Sequence, residues 1–409
     1  MQVSTPIPQR SRTLEFGIYR DGDNNLDMSQ SLTIAQALQS SRTDPAVEYT
    51  VEDTTGVRAE GDDIAEGRKR TDDFAIADGK VGNSQTGRPR NMADPSNLAN
   101  FVARTLDSAQ ASGAKQTWID LVDHGGGDGG GLETHTGAVM SMPDMAKAIA
   151  DGVALHAKEH PEDANRSIDG VVANQCLMST MGFADALSRA GVKWLAASPE
   201  TMLSPGVPTG VADAIARNVD DPGAMASAVV NTVMRTRYQT PFGESFGTAA
   251  AFDVLDCSPD KIANADRAIK AFNDAVADDT TDRAAIRRDV ASVDGMVRFS
   301  EATPDMPWHA DRPAIAVYST IASDGRLPAQ LRAQARAASD ATRALVMAHK
   351  ESRAFGPFDG SSYADAAGPT IHAPLSAKQI DPWASDGISE TNNAFYDSVD
   401  QAKFVRAVA

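Results

Sequence analysis

The run Trp118-Ile119-Asp120-Leu121-Val122-Asp123 stops at His124 and is followed at once by Gly125, Gly126 and Gly127. Short β-branched and aromatic runs bounded by glycine form buried strands, and glycine lets the backbone turn sharply where the strand ends. This pattern places His124 at a strand's carboxyl end. A second run has the same grammar: Ile168-Asp169-Gly170-Val171-Val172-Ala173-Asn174-Gln175 leads into Cys176. Between the two, Ser141-Met142-Pro143-Asp144 opens a helix with a capping box and carries it to about Lys158. Strand, helix and strand in succession build a mostly parallel sheet, and ligands bind in the crevice beyond the carboxyl ends of such strands. Two reactive side chains delivered there are candidates for a Cys176/His124 hydrolytic dyad.

The alternation continues on both sides of this unit. Leu14 to Tyr19 and Val47 to Val51 read as strands, and residues 54–95 as a polar insertion forming a surface hairpin or loop. Leu98, Phe101, Val102 and Leu106 recur at helical spacing up to Gly113. After Cys176 the pattern predicts a helix from about Thr180 to Gly191 and a strand from Lys193 to Ser198. A helix opening at Asp221-Pro222, a strand from Thr248 to Leu255 and a helix at Ser258-Pro259 follow. Beyond about Val290 the chain turns α-rich, with one long Ala-, Arg- and Leu-rich helix expected from Pro328 to Ser352. The reading is an α/β domain over residues 1–290 and an α-rich C-terminal extension over 291–409.

Charge and cysteine content narrow the function. A formal charge of -18 over 409 residues argues against nucleic acid or an anionic membrane as partner, since both require clustered Lys and Arg. No apolar run approaches the roughly 18 residues of a membrane span. The first ten residues lack the apolar core of a signal peptide, so the expectation is a cytoplasmic protein or one exported by a non-classical route. Two cysteines, Cys176 and Cys257, exclude a disulfide framework and a cysteine-rich zinc site.

A thiol attacks carbonyls as thiolate, so Cys176 needs a neighbouring imidazole to take its proton, which His124 supplies. The backbone N–H groups of Gly125 and Cys176 are candidates for the oxyanion donors. A buried cysteine is also an ordinary core residue, and that alternative stays open on these residues alone. A rival chemistry is a serine esterase, because His-Gly-Gly-Gly is also an oxyanion motif and Gly243-Glu244-Ser245-Phe246-Gly247 fits a nucleophile elbow at Ser245. The acidic turn Asp21-Gly22-Asp23-Asn24-Asn25-Leu26-Asp27 departs from a calcium loop, with Leu26 at the glycine position, and reads as a helix cap. His156 and His160 lie four apart without an evident acidic partner and read as a solvated helix end. His135, beside Glu133, reads as exposed, and Cys257 as a core or loop thiol.

Asp123-His124-Gly125-Gly126-Gly127 resembles the histidine motif of clostripain-like cysteine peptidases, and Gln175-Cys176-Leu177-Met178 resembles their nucleophile motif, usually Asp-Ala-Cys-Leu-Met. Tyr19 to Leu26, Ala197-Ser198-Pro199-Glu200 and Thr248 to Asp253 are similar to further family segments in the same order. The resemblance implies a caspase-like α/β/α sandwich and peptide-bond hydrolysis through a thioester, usually after Arg or Lys. It assigns Cys176 as nucleophile, His124 as general acid/base and Gly125 as oxyanion donor, acting on a peptide or protein substrate. No cofactor is required, although calcium dependence is known among relatives, which are often secreted. Asn174 stands where the family has an acid that binds a basic P1 side chain, so a basic preference does not follow; Asn174 and Glu200 are the candidates for the substrate pocket. The same asparagine leaves open a non-catalytic peptide-binding module. Some relatives cut themselves at a basic residue soon after the histidine motif, but residues 125–146 hold no Lys or Arg; Lys147 and the patch Arg68-Lys69-Arg70 are the nearest alternatives.

Overall fold

The computed structural model describes residues 12–56, 69–134, 136–239, 243, 245–278, 283–297, 310–352, 363, 365–376 and 394–408. Its strands are β1 (Leu14–Gly22), β2 (Val47–Thr55), β3 (Arg70–Ala77), β4 (Lys80–Gly87), β5 (Gln116–Val122), β6 (Gly170–Asn174), β7 (Trp194–Ala197), β8 (Tyr238–Gln239), β9 (Ser245–Phe246), β10 (Ala251–Asp256), β11 (Asp311–Pro313), β12 (Val346–Glu351) and β13 (Thr370–His372). One nine-stranded sheet runs β12-β10-β7-β6-β5-β1-β2-β3-β4. Its centre, β2-β1-β5-β6-β7, is parallel throughout, and antiparallel strands close both edges.

Side chains along β5 alternate between two cores, and this is why the run reads as nearly continuously apolar. Ile119 and Leu121 enter the larger core, under the helices Pro95–Ser112, Met142–Glu159 and Met181–Arg189. Trp118 and Val122 enter the other, under Gly210–Ala216 and Pro222–Arg235. Val171 and Ala173 of β6 go with the first and Val172 with the second. A strand covered on both faces is apolar at most positions, as parallel sheets with helices on both sides require, and buried Asp120 is an exception in β5. Trp118 also stacks on Trp194 at 5.7 Å across the intervening strand.

Most caps fall where the sequence set them. The Ser141 hydroxyl accepts the Asp144 N–H at 3.2 Å, the Thr180 hydroxyl accepts that of Phe183 at 3.0 Å, and Asp221 accepts that of Ala224 at 3.0 Å. Gly113, with φ of +69°, closes the helix before β5. Within the polar insertion, β3 and β4 form a hairpin that extends the sheet edge beyond β2.

Two expectations need correction. The helix expected from Pro328 to Ser352 ends at Arg343, and residues 346–351 turn back as β12, antiparallel to β10. Local composition favoured a continued helix, but the edge of β10 offers a ladder, and Val346 and Met347 pack against the two cores. The acidic turn after β1 is not a side-chain cap: the short helix Asp27–Gln30 is preceded by Leu26, which supplies no capping bond. Two of its acids are used in ion pairs instead, Asp27 with Arg20 at 3.0 Å and Asp23 with Lys69 at 2.7 Å, and Asp21 accepts the Asp23 N–H at 2.9 Å.

Leu121 is fully buried three residues before His124. Leu121→Ala is expected to destabilise the protein by about 2–5 kcal/mol, read as a lowered melting midpoint in calorimetry.

Candidate active site

β5 and β6 pair in parallel with Trp118 opposite Gly170 and Val122 opposite Asn174. The ladder continues one step further, since the Asp123 N–H donates to the Asn174 carbonyl at 3.3 Å. His124 and Cys176 thus leave adjacent strands two residues past the same register pair. The Gln175 side chain ties the two ends by donating to the His124 carbonyl at 3.0 Å. Gly125 lies against the Cys176 peptide: a Cβ built on it would sit 2.4 Å from the Cys176 carbonyl oxygen and 3.0 Å from its nitrogen. Only glycine fits there. Among the described residues neither the Gly125 N–H nor the Cys176 N–H donates to a protein acceptor.

The turn after the cysteine is tight. Leu177 adopts φ of +64°, a left-handed conformation that is strained for leucine, and its N–H donates to the Glu200 carbonyl at 3.2 Å. This reversal leaves Cys176 partly exposed beyond the carboxyl end of β6. Its sulfur accepts the Met202 N–H at 3.2 Å and packs beside Leu177, Met296 and Val297. Desolvation pushes the thiol up to about 11, and the nearby charges of Glu200 and Asp123 act in the same direction. Cys257 is fully buried, and both cysteines are free thiols.

His124 is half-buried, and desolvation lowers its pKa while Glu133 works against that shift. Its Nε2 lies 2.7 Å from the Asn25 side-chain oxygen. An amide oxygen only accepts, so this contact assigns the proton to Nε2 and leaves the Nδ1 lone pair as the basic atom. Asn24, one residue earlier, donates to Asp123 at 2.5 Å and to the Glu133 carbonyl at 2.8 Å. Sequence reasoning noticed this turn but assigned it to a helix cap; its asparagines instead orient the histidine loop. Nothing in the sequence marked Met202 or Val297, which reach the cysteine only through the tertiary fold.

The pocket candidates have clear partners. Asn174 is buried at the end of β6, where its side-chain oxygen accepts the Val207 N–H at 2.7 Å and its nitrogen donates to the Val207 carbonyl at 3.3 Å. Glu200 is also buried, and its Oε1 accepts from the N–H groups of Thr201 and Val297, each at 2.8 Å. Ser245 sits in the short antiparallel pair of β8 and β9, and the described residues around it form no strand-to-helix turn of the kind an esterase elbow needs. His135 and Arg68 lie outside the described residues; Lys147 is in mid-helix and pairs with Asp151.

No family model and no curated protein matches the chain. Solved structures do. The chain is similar to a secreted C11 cysteine protease from Bacteroides thetaiotaomicron in complex with an irreversible peptide inhibitor, with a TM-score of 0.64 at 13% identity over 95% of this chain and 99% of that one. It is similar to the secreted C11 protease "iotapain" of the same organism, with a TM-score of 0.62 at 15% identity over 95% and 99% of the two chains. An inactive zymogen C11 protease from Parabacteroides distasonis gives a TM-score of 0.61 at 16% identity over 96% and 99%. The expected α/β fold with a mostly parallel sheet is therefore the fold of C11, or clostripain-like, cysteine proteases. No helix among the described residues is long and apolar enough to cross a membrane.

With the thiol raised and the imidazole lowered, the resting pair is neutral. Alkylation of Cys176 by iodoacetamide is expected to quicken with pH through neutrality toward a midpoint near 11, with Cys257 unlabelled in the native protein. Peptide mass spectrometry of the labelled protein checks both; a rate that levels off below pH of about 6.5, as a preformed ion pair gives, contradicts the first.

Proposed function

We propose that this chain is a cysteine endopeptidase that cleaves peptide bonds through a Cys176/His124 dyad and a thioester. The observation that carries the reading is the departure of His124 and Cys176 from adjacent parallel strands at the same depth, on a fold shared with C11 cysteine proteases. Substrate binds beyond the carboxyl ends of β5, β6 and β7. Two of the similar structures are described as secreted, and an extracellular site of action is part of the proposal.

The neutral pair favours general-base chemistry over a resting thiolate. As the sulfur attacks the scissile carbonyl carbon, His124 Nδ1 takes the thiol proton, and the Asn25 contact at Nε2 holds the ring in the required tautomer. The carbonyl oxygen gains negative charge, which the N–H groups of Gly125 and Cys176 receive. Collapse breaks the C–N bond, and the imidazolium hands its proton to the departing amine. A water deprotonated by His124 then attacks the thioester, releasing the acid and restoring the thiol.

Specificity is proposed to be neutral at P1. Recognition of Arg or Lys needs a carboxylate aimed into the pocket, and an amide in its place gives up the charge pairing that makes such selection strong. Asn174 directs its amide at the Val207 backbone and Glu200 directs Oε1 at Thr201 and Val297. Both support the walls of the site from behind.

Hydrolysis of a mixed peptide library with P1 read by mass spectrometry tests the activity and the preference together. Cys176→Ala is expected to abolish turnover, and His124→Ala to lower kcat about 10³-fold or more. Turnover that survives Cys176→Ala, or cuts confined to Arg and Lys, overturns the respective parts. Asn25→Ala is expected to lower kcat about 10- to 100-fold with KM little changed, as loss of ring orientation would. Because the His124 pKa is lowered, the acid limb of the kcat/KM profile is expected below about 6.5.

A further inference from the structure

We propose that Asp128, Asp311 and His372 form a divalent-cation site that clamps the C-terminal third onto the glycine loop following His124. Asp128 lies in the turn Gly127–Gly129 of that loop. Asp311 and His372 stand opposite each other in the antiparallel pair β11–β13, and one ligand atom from each of the three residues lies within 4.8 Å of the others. The three come from parts of the chain far apart in sequence, so their convergence is a product of the tertiary fold.

The orientation of the carboxylates points to a ligand between them. Asp311 is 1% exposed, and its Oδ2 meets no hydrogen-bond donor; Asp128 Oδ1 is likewise buried without one. A Cβ built on Gly127 would lie 2.6 Å from Asp311 Oδ2, and Gly127 holds φ of +61°, so the loop approaches this oxygen as closely as a glycine permits. The remaining oxygens are engaged and fix the geometry. Tyr396 donates to Asp128 Oδ2 and accepts the His372 N–H at 3.1 Å, and His372 Nδ1 lies 3.2 Å from Asp311 Oδ1.

Two buried carboxylates need positive charge. The neighbouring Arg312 guanidinium supplies part of it to Asp311, while it also donates to the carbonyls of Val293, Ala310 and Ala373. Two carboxylates with an imidazole suit a first-row divalent ion such as Zn²⁺ or Mn²⁺; calcium prefers six to eight oxygens. A second cluster, Asp107 with His156 and His160, lies between the helices Pro95–Ser112 and Met142–Glu159. It corrects the solvated helix end expected for those histidines, since His156 is fully buried with Nδ1 2.6 Å from Asp107. This ion-paired cluster serves as the control.

The test uses the full chain, freed of metal by chelator and dialysed against Zn²⁺ or Mn²⁺, with bound metal counted by elemental mass spectrometry and melting followed by calorimetry. One equivalent is expected in the wild type and in His160→Gln, and none in Asp311→Asn or His372→Gln. Saturating metal is expected to raise the melting midpoint by about 4 °C only where Asp311 and His372 are intact. Asp311→Asn removes a buried charge without changing shape, so the metal-free variant should melt no lower than metal-free wild type, which separates lost binding from lost folding. Equal metal in wild type and Asp311→Asn, loss confined to His160→Gln, or binding of Ca²⁺ alone overturns the proposal. These readouts need no proteolysis, so the site and the peptidase reading stand or fall separately.

Discussion

The hydrogen-bonded ladder between β5 and β6 sets the position of everything at the candidate active site. Parallel pairing fixes Val122 opposite Asn174, and the covered faces of both strands forbid a slip by one residue, because a slip would turn each apolar side chain into the wrong core. His124 and Cys176 inherit that register. Their departure from adjacent strand ends is therefore a property of the buried sheet, while the loops beyond it set their orientation.

Those loops are held by polar groups that the fold has removed from water. Asn24 bonds Asp123 and the Glu133 carbonyl, Glu200 bonds Thr201 and Val297, and Asn174 bonds both the N–H and the carbonyl of Val207. A buried polar group left without its partner costs about 1–3 kcal/mol, so each of these bonds discriminates strongly between the native loop and its alternatives. The same burial keeps the thiol and the imidazole neutral, which ties the chemistry proposed for the site to the low dielectric that shapes it.

The C-terminal third is interwoven with the sheet. β12 extends the sheet beyond β10, Met296 and Val297 pack beside Leu177 and Cys176, and Tyr396 reaches back to Asp128 in the glycine loop. Contacts of this kind make the site a joint product of the two ends of the chain.

Much of the architecture could be read from the sequence because its causes are local. The two-faced burial of β5 and β6 writes itself as mostly apolar runs, and Ser141, Thr180 and Asp221 bond their own helix ends within three residues. The glycines after His124 mark the turn for the same reason. What the sequence misjudged depended on partners far along the chain: residues 346–351 carry helical composition yet pair with β10, and Asn24 and Asn25 bond residues about a hundred positions away. Local patterning determined which segments become strands and where the reactive side chains leave them. Only the tertiary structure decided which atoms face the sulfur and the imidazole, because those contacts cross between segments whose separation in sequence carries no record of their distance in space.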